Sequence, residues 1–245
     1  QIFVSDDKGE SIRDYSQNTD NVHNFGQWST DGKSFSFSSN TLERHRLDVY
    51  RQDIAASAPE LVYSGTDSSE PIAWADNNKI IIVREGPRTD ASHLFAVNLI
   101  TGDQQSLTPD QPGSTYEPAG LSSNGVLYLR TDQASEFVGL AMLNLSNLEL
   151  SHLESLDWDI EGAALSPDGL SLIYSINKDA MSHLILRNLT TNSEQTLGNH
   201  PPGVITGLCW NPNGRSFAFA LNSPKTGGDI WSYSLDSGHL EKLTE

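Results

Sequence analysis

The chain has 245 residues, with 32 acidic and 15 basic side chains for a formal net charge of −17. That balance disfavours nucleic acid and anionic membranes, which need clustered lysine and arginine, and no run approaches the ~18 apolar residues of a membrane span. The length fits one large all-β domain as well as two small ones, and the single cysteine, Cys209, excludes an internal disulfide.

Taken in order, residues 1–4 (QIFV) predict a strand, 6–9 a turn and 10–15 a second strand. In every later repeat that pattern is the outer hairpin of a blade, so 1–22 is expected to be a half-blade, and the chain to open midway through a blade. One phrase then recurs: 28–37 (WSTDGKSFSF), 74–83 (WADNNKIIIV), 121–129 (LSSNGVLYL), 165–175 (LSPDGLSLIYS) and 210–219 (WNPNGRSFAF). Its turn residues, Gly32, Asn78, Gly125, Gly169 and Gly214, lie 46, 47, 44 and 45 positions apart. A period in the forties with strand-type alternation means propeller blades. The expected fold is all-β, one β-propeller domain over 1–245 made of four-stranded antiparallel blades. Five are complete, at 26–65, 71–108, 117–154, 161–197 and 204–244, and follow the leading half-blade.

The phrase has a local physical basis. Asp-Gly or Asn-Gly between alternating runs marks a hairpin, because the turn needs a positive φ that glycine adopts without steric cost. Pro167 and Pro212 pre-set the first turn residue. Asn78 replaces glycine in the second copy, at an expected cost. Trp28, Trp74, Leu121, Leu165 and Trp210 occupy one register and are expected to pack between neighbouring blades. Small residues before them (FGQW, PIAW, PAGL, GAAL, ITGLCW) suit crowded inner strands. The links between second and third strands, 39–46, 84–92, 130–138, 177–182 and 222–228, are expected to be longer than the hairpin turns. They would elaborate one face, where a rigid scaffold most often carries function. Cys209, in an apolar stretch, is expected to be buried.

Chemical motifs are sparse. There is no G-x-S-x-G, no G-x-x-x-x-G-K-[ST], no G-x-G-x-x-G and no cysteine-based zinc spacing. His93 and His183 fall at equivalent strand starts, with His45 one place earlier in another repeat. Repetition separates them onto different blades, so no metal site and no cofactor is expected. The most feature-rich stretches are the loop holding Arg130, Asp132 and Glu136, and the connector in which Asp157, Asp159 and Glu161 flank Trp158. Arg130, Asp132, Glu136, Asp157, Trp158 and Asp159 are therefore the candidate binding residues, against the plainer reading of a solvated acidic rim.

The repeats resemble the TolB-like propeller repeat, S-P-D-G-x followed by a strand. More specifically, 24–39 (NFGQWSTDGKSFSFSS), 130–145 (RTDQASEFVGLAMLNL), 158–172 (WDIEGAALSPDGLSL) and 204–245 resemble, in order, segments of the propeller in bacterial prolyl oligopeptidase-family serine peptidases. In that family the propeller sits beside an α/β-hydrolase domain carrying a Ser-Asp-His triad, and admits peptides while excluding folded proteins. No triad residue carries over to any position here. The resemblance implies a non-catalytic propeller portion that gates substrate access and docks to an α/β-hydrolase catalytic domain, with a peptide or protein as ligand. Two other readings stand beside it: a stand-alone TolB-like propeller that binds a protein or peptide, and a propeller lyase or hydrolase with an axial metal or carboxylates.

Overall fold

A computed structural model describes residues 1–6, 8–16, 20–86, 91–109, 113–154, 156–198 and 200–244. Among these residues the secondary structure is strand and turn, with no helix. The chain divides into two compact units, Gln1–Ser114 and Thr115–Glu245.

In the first unit, β1 (Phe3–Ser5) and β2 (Ile12–Asp14) make a two-stranded sheet. Two four-stranded sheets follow. One holds β3 (His23–Trp28), β4 (Ser34–Ser39), β5 (Asp48–Asp53) and β6 (Glu60–Tyr63). The other holds β7 (Ser69–Ala75), β8 (Ile80–Glu85), β9 (His93–Asn98) and β10 (Gln104–Ser106). The second unit has three four-stranded sheets. The first comprises β11 (Tyr116–Leu121), β12 (Val126–Thr131), β13 (Gly139–Asn144) and β14 (Glu149–Glu154). The next comprises β15 (Ile160–Leu165), β16 (Ser171–Lys178), β17 (Met181–Asn188) and β18 (Glu194–Leu197). The last comprises β19 (Val204–Trp210), β20 (Ser216–Ser223), β21 (Thr226–Ser234) and β22 (Leu240–Lys242). Every pair is antiparallel and every sheet runs in sequence order, as blades require.

The repeated turns take the conformation their residues predict. Gly32, Gly125, Gly169 and Gly214 have φ of 67°, 78°, 71° and 68°. Each donates its N–H to the carbonyl three residues earlier, on Ser29, Ser122, Ser166 or Asn211. The serine hydroxyl locks the turn: Ser29 Oγ donates to Asp31 at 2.7 Å and Ser166 Oγ to Asp168 at 2.5 Å. Those hydroxyls, with the backbone N–H groups of Lys33 and Leu170, hold both carboxyls below the usual aspartate range. The second copy uses another turn. Asp76, Asn77 and Asn78 all have positive φ, and Lys79 N–H closes onto Asp76 O at 3.1 Å. Asn78 Oδ1 also accepts from Thr30 N and Thr30 Oγ1, at 2.8 and 2.9 Å. These bonds to the β3–β4 turn are ones glycine cannot make, and they offset the cost expected for asparagine.

Of the residues that lead the phrase, Trp74, Leu165 and Trp210 join neighbouring sheets, whereas Trp28 is 40% exposed and meets Phe25 and Phe35 of its own sheet. Trp74 Nε1 donates to Gln27 O at 3.1 Å and Trp210 Nε1 to Ala164 O at 2.9 Å, each on the inner strand of the preceding sheet. The small inner-strand residues permit that approach: a Cβ on Gly26 would lie 2.5 Å from Pro71 Cγ, and one on Gly120 2.6 Å from Leu165 Cβ. The leading hairpin packs its apolar side on the next sheet, with Ile2 and Tyr15 buried among Phe35, Phe37 and Tyr50. Tyr15 meets Phe35 edge-on at 5.5 Å, and its hydroxyl donates to Ile54 O. Phe3 points away and is exposed, and β1 pairs with β2 alone among the described residues.

Two expectations fail locally. The links after β16 and β20 are not long. Asp179 and Ala180, both at positive φ, close a two-residue turn with Lys178 opposite Met181, and Pro224 and Lys225 join β20 to β21. Extra residues were absorbed into longer strands instead. Cys209 is exposed. A bulge between Thr206 and Cys209 resets the alternation, so Ile205 and Trp210 both turn inward and the thiol faces out.

Candidate functional site

The second unit carries a polar cleft of about 500 Å³ where the inner strands β11, β15 and β19 come together. Glu117 and Arg130 are direct cross-strand partners on β11 and β12, and Arg130 Nη2 donates to Glu117 Oε2. The same guanidinium reaches the next sheet, with Nη1 donating to Ile160 O at 2.8 Å. Asp159 Oδ1 accepts from Val138 N at 2.9 Å, and Ile160 N donates to Val138 O, which pins the 156–159 connector to the 132–138 loop. Glu161 Oε1 accepts from Asn177 Nδ2 at 2.7 Å. Thr206 and Gly207, at the β19 bulge, complete the opposite wall, where Gly207 (φ 65°) has open space around it.

Three carboxylates and one guanidinium leave the cleft negative, and exposed Asp159 and Glu161 hold its outer part. The arrangement suits a cationic or N–H-rich ligand lying in extended form against an inner strand. Its lining contains no serine, cysteine, histidine or lysine. Among the described residues no group of three His, Cys, Asp or Glu side chains is placed to hold a metal ion.

Of the candidate residues read from sequence, the structure brings Arg130 and Asp159 into this cleft. The others lie outside its lining. Asp132 turns back to accept from Thr115 N at 2.6 Å and Thr115 Oγ1 at 3.1 Å. Glu136 and Asp157 are exposed. Trp158, 38% exposed, lies under the Lys178 ammonium, 5.9 Å from the ring centroid. Glu117 was missed, although it had a signal. Glu-Pro recurs at 70–71 and 117–118, each followed at the facing position by an arginine, and Arg84 Nη2 likewise donates to Glu70 Oε1.

Asp132 belongs to a repeated structural device. At the end of the second strand, an acceptor side chain caps the segment entering the same sheet. Asn40 Oδ1 accepts from Val22 N at 2.7 Å. Glu85, 8% exposed, accepts from Thr66 N, from Thr66 Oγ1 at 3.1 Å, from Asp67 N at 2.9 Å and from Tyr63 OH at 3.0 Å. Burial pushes the Glu85 carboxyl up, but the bonds from Asp67, Tyr63 and Thr66 together outweigh it and hold the group below its ordinary value. A lowered folded value means that the carboxylate's contribution is complete above the unfolded value and is lost as pH falls through the folded one. Glu85→Gln is therefore expected to cost about 1–3 kcal/mol at neutral pH, because an amide presents donors where four donors converge. Urea unfolding followed into acid should show the gap between variant and wild type closing. A constant gap would mean that charge is not the cause.

The sheets and their inter-sheet joints define the class: an all-β chain of propeller-type blades. In sequence, no family model and no curated protein matches it. In structure, it is similar to a prolyl endopeptidase analysed for the role of inter-domain dynamics in catalysis and specificity. The TM-score is 0.76 at 15% identity, over 97% of this chain and 37% of that one. It is also similar to prolyl oligopeptidase B from Galerina marginata, with TM-score 0.73 and 12% identity over 90% of this chain and 33% of that one. TolB from Acinetobacter baumannii matches at TM-score 0.70 and 15% identity, over 99% of this chain and 59% of that one. The chain thus spans less than two thirds of each of these proteins. At such identities the likeness shows the fold.

Proposed function

We propose that the chain is a single β-propeller domain, the non-catalytic portion of a prolyl oligopeptidase-like serine peptidase. It docks to an α/β-hydrolase domain and restricts which peptides reach it. The reading rests on the ordered resemblance of 24–39, 130–145, 158–172 and 204–245 to that family's propeller, and the fold match to a prolyl endopeptidase supports it. The cleft of Arg130, Glu117, Asp159 and Glu161 is the surface that a passing peptide touches. A second reading, a TolB-like propeller that binds a protein or peptide, draws support from the match to TolB over 99% of the chain.

The reading frame that carries this chain tests the proposal. A strand, G-x-S-x-G turn and helix encoded in the same frame supports it, and a frame without such a segment rejects it. The chain alone is expected to release no product from chromogenic prolyl peptides. Turnover that co-purifies with it and reacts with a serine-directed inhibitor would contradict the non-catalytic role. An arginine-containing proline peptide, titrated by fluorescence anisotropy, should bind about fivefold more weakly to Glu161→Lys, since a cation then faces a cation. Unchanged binding would remove the cleft from the peptide path.

A further inference from the structure

A second cavity, of about 570 Å³, lies in the same unit and shares no residue with the cleft. Its size is within the range of small-molecule sites. Met181, Leu221 and Trp231 supply apolar surface, and Met181 is 43% exposed at the strand start. Pro201, Pro202 and Pro224 add walls that carry no backbone N–H, so these stretches offer a ligand no main-chain donor. The tight turns after β16 and β20 shape the opening, because they bring Ala180 and Met181 on one sheet and Pro224 and Lys225 on the other to the same cavity.

Its charges are not equivalent. Lys242 Nζ is paired with Asp229 Oδ2 at 3.0 Å, and Asp229 Oδ1 accepts from Thr244 Oγ1 at 3.0 Å. The Lys225 ammonium has no carboxylate partner among the described residues. In a chain of net charge −17, a spare cation beside an apolar cavity stands out chemically. We propose that this cavity binds a small amphipathic carboxylate. Its apolar body lies against Trp231, Met181 and the prolines, and its acid head pairs with Lys225. The inference is independent of the peptidase reading.

The test is calorimetric titration of the whole chain with sodium decanoate, decanol and decyltrimethylammonium, three probes with one tail and different heads. Decanoate is expected to bind at one saturable site and to beat the cationic probe. Lys225→Ala should weaken decanoate about tenfold, the loss of one charge-assisted contact, and leave decanol unchanged. Lys225 lies in an exposed turn, so the variant should keep the wild-type unfolding midpoint. Trp231→Phe should remove the decanoate-dependent change in tryptophan emission, which places the tail. Failure of decanoate to saturate, equal affinity in Lys225→Ala, or a preference for the cationic head would each overturn the proposal.

Discussion

Trp210→Ala should lower the unfolding free energy by about 3–5 kcal/mol, the range for truncating a large buried aromatic. Trp210 is 8% exposed, meets Phe217 edge-on at 5.4 Å and sits in the cluster of Phe219, Ile205 and Leu184. Its indole N–H is also the donor to Ala164 O on the preceding sheet. Trp210→Phe keeps most of the packing and removes that donor, so about 1 kcal/mol is expected. Trp28→Ala is the internal control. The residue occupies the same register but is 40% exposed, and its loss should cost far less. Urea unfolding of the three variants checks the order. Near-equal losses for Trp210→Ala and Trp28→Ala would mean that the joint between sheets contributes little.

Arg187→Ala is the second large effect. Arg187, 8% exposed, donates through Nη1 to Glu154 Oε2 at 3.1 Å on the neighbouring sheet and to Glu194 Oε1 at 3.0 Å on its own. Tyr174 OH adds a bond to the same Glu194 oxygen at 2.8 Å, and burial together with Glu194 pushes the phenol far above its ordinary value. Removing the guanidinium leaves two carboxylates facing each other beside a buried tyrosine. Breaking a fully buried pair costs about 3–5 kcal/mol, and the partial exposure of both glutamates reduces this to about 2–3 kcal/mol. Adding Glu154→Gln and Glu194→Gln to Arg187→Ala should restore part of the loss, because the uncompensated charge goes with them. If the triple variant is less stable than Arg187→Ala, hydrogen bonding rather than charge dominates the network.

What was legible in the sequence was whatever depends on residues close in the chain. Gly32, Gly125, Gly169 and Gly214 announced their turns because positive φ is a local demand. Trp74 and Trp210 announced the inter-sheet joints because repetition fixed their register. The misread features depend on phase or on a distant partner. Cys209 sits two residues after Gly207, and a single bulge there reverses which side chains face inward. The turn at Asp179 and Ala180 contains no glycine, so nothing nearby marked it as tight. In the candidate site, Arg130 and Asp159 stood out as charges in loops. Whether Asp132 faces a cleft or a backbone N–H is decided by Thr115, 17 positions away. Glu117 carried a signal in the repeated Glu-Pro, and the pairing of β11 with β12 shows that it faces Arg130.

Within the units, the joints between adjacent four-stranded sheets are of two kinds. Indoles hold β3–β6 to β7–β10 and β15–β18 to β19–β22 through neutral hydrogen bonds. Between β11–β14 and β15–β18 the corresponding residue is Leu165, which rests on Gly120 and has no donor to offer. Two arginines hold that contact: Arg130 to Ile160 O at the inner end and Arg187 to Glu154 at the outer. Truncating an indole removes a neutral bond, whereas truncating either arginine also leaves a carboxylate uncompensated, Glu117 at the inner end and Glu154 at the outer. Charge substitution is thus a handle on one joint and not on the indole pair, and the Arg130 end of that joint opens into the cleft.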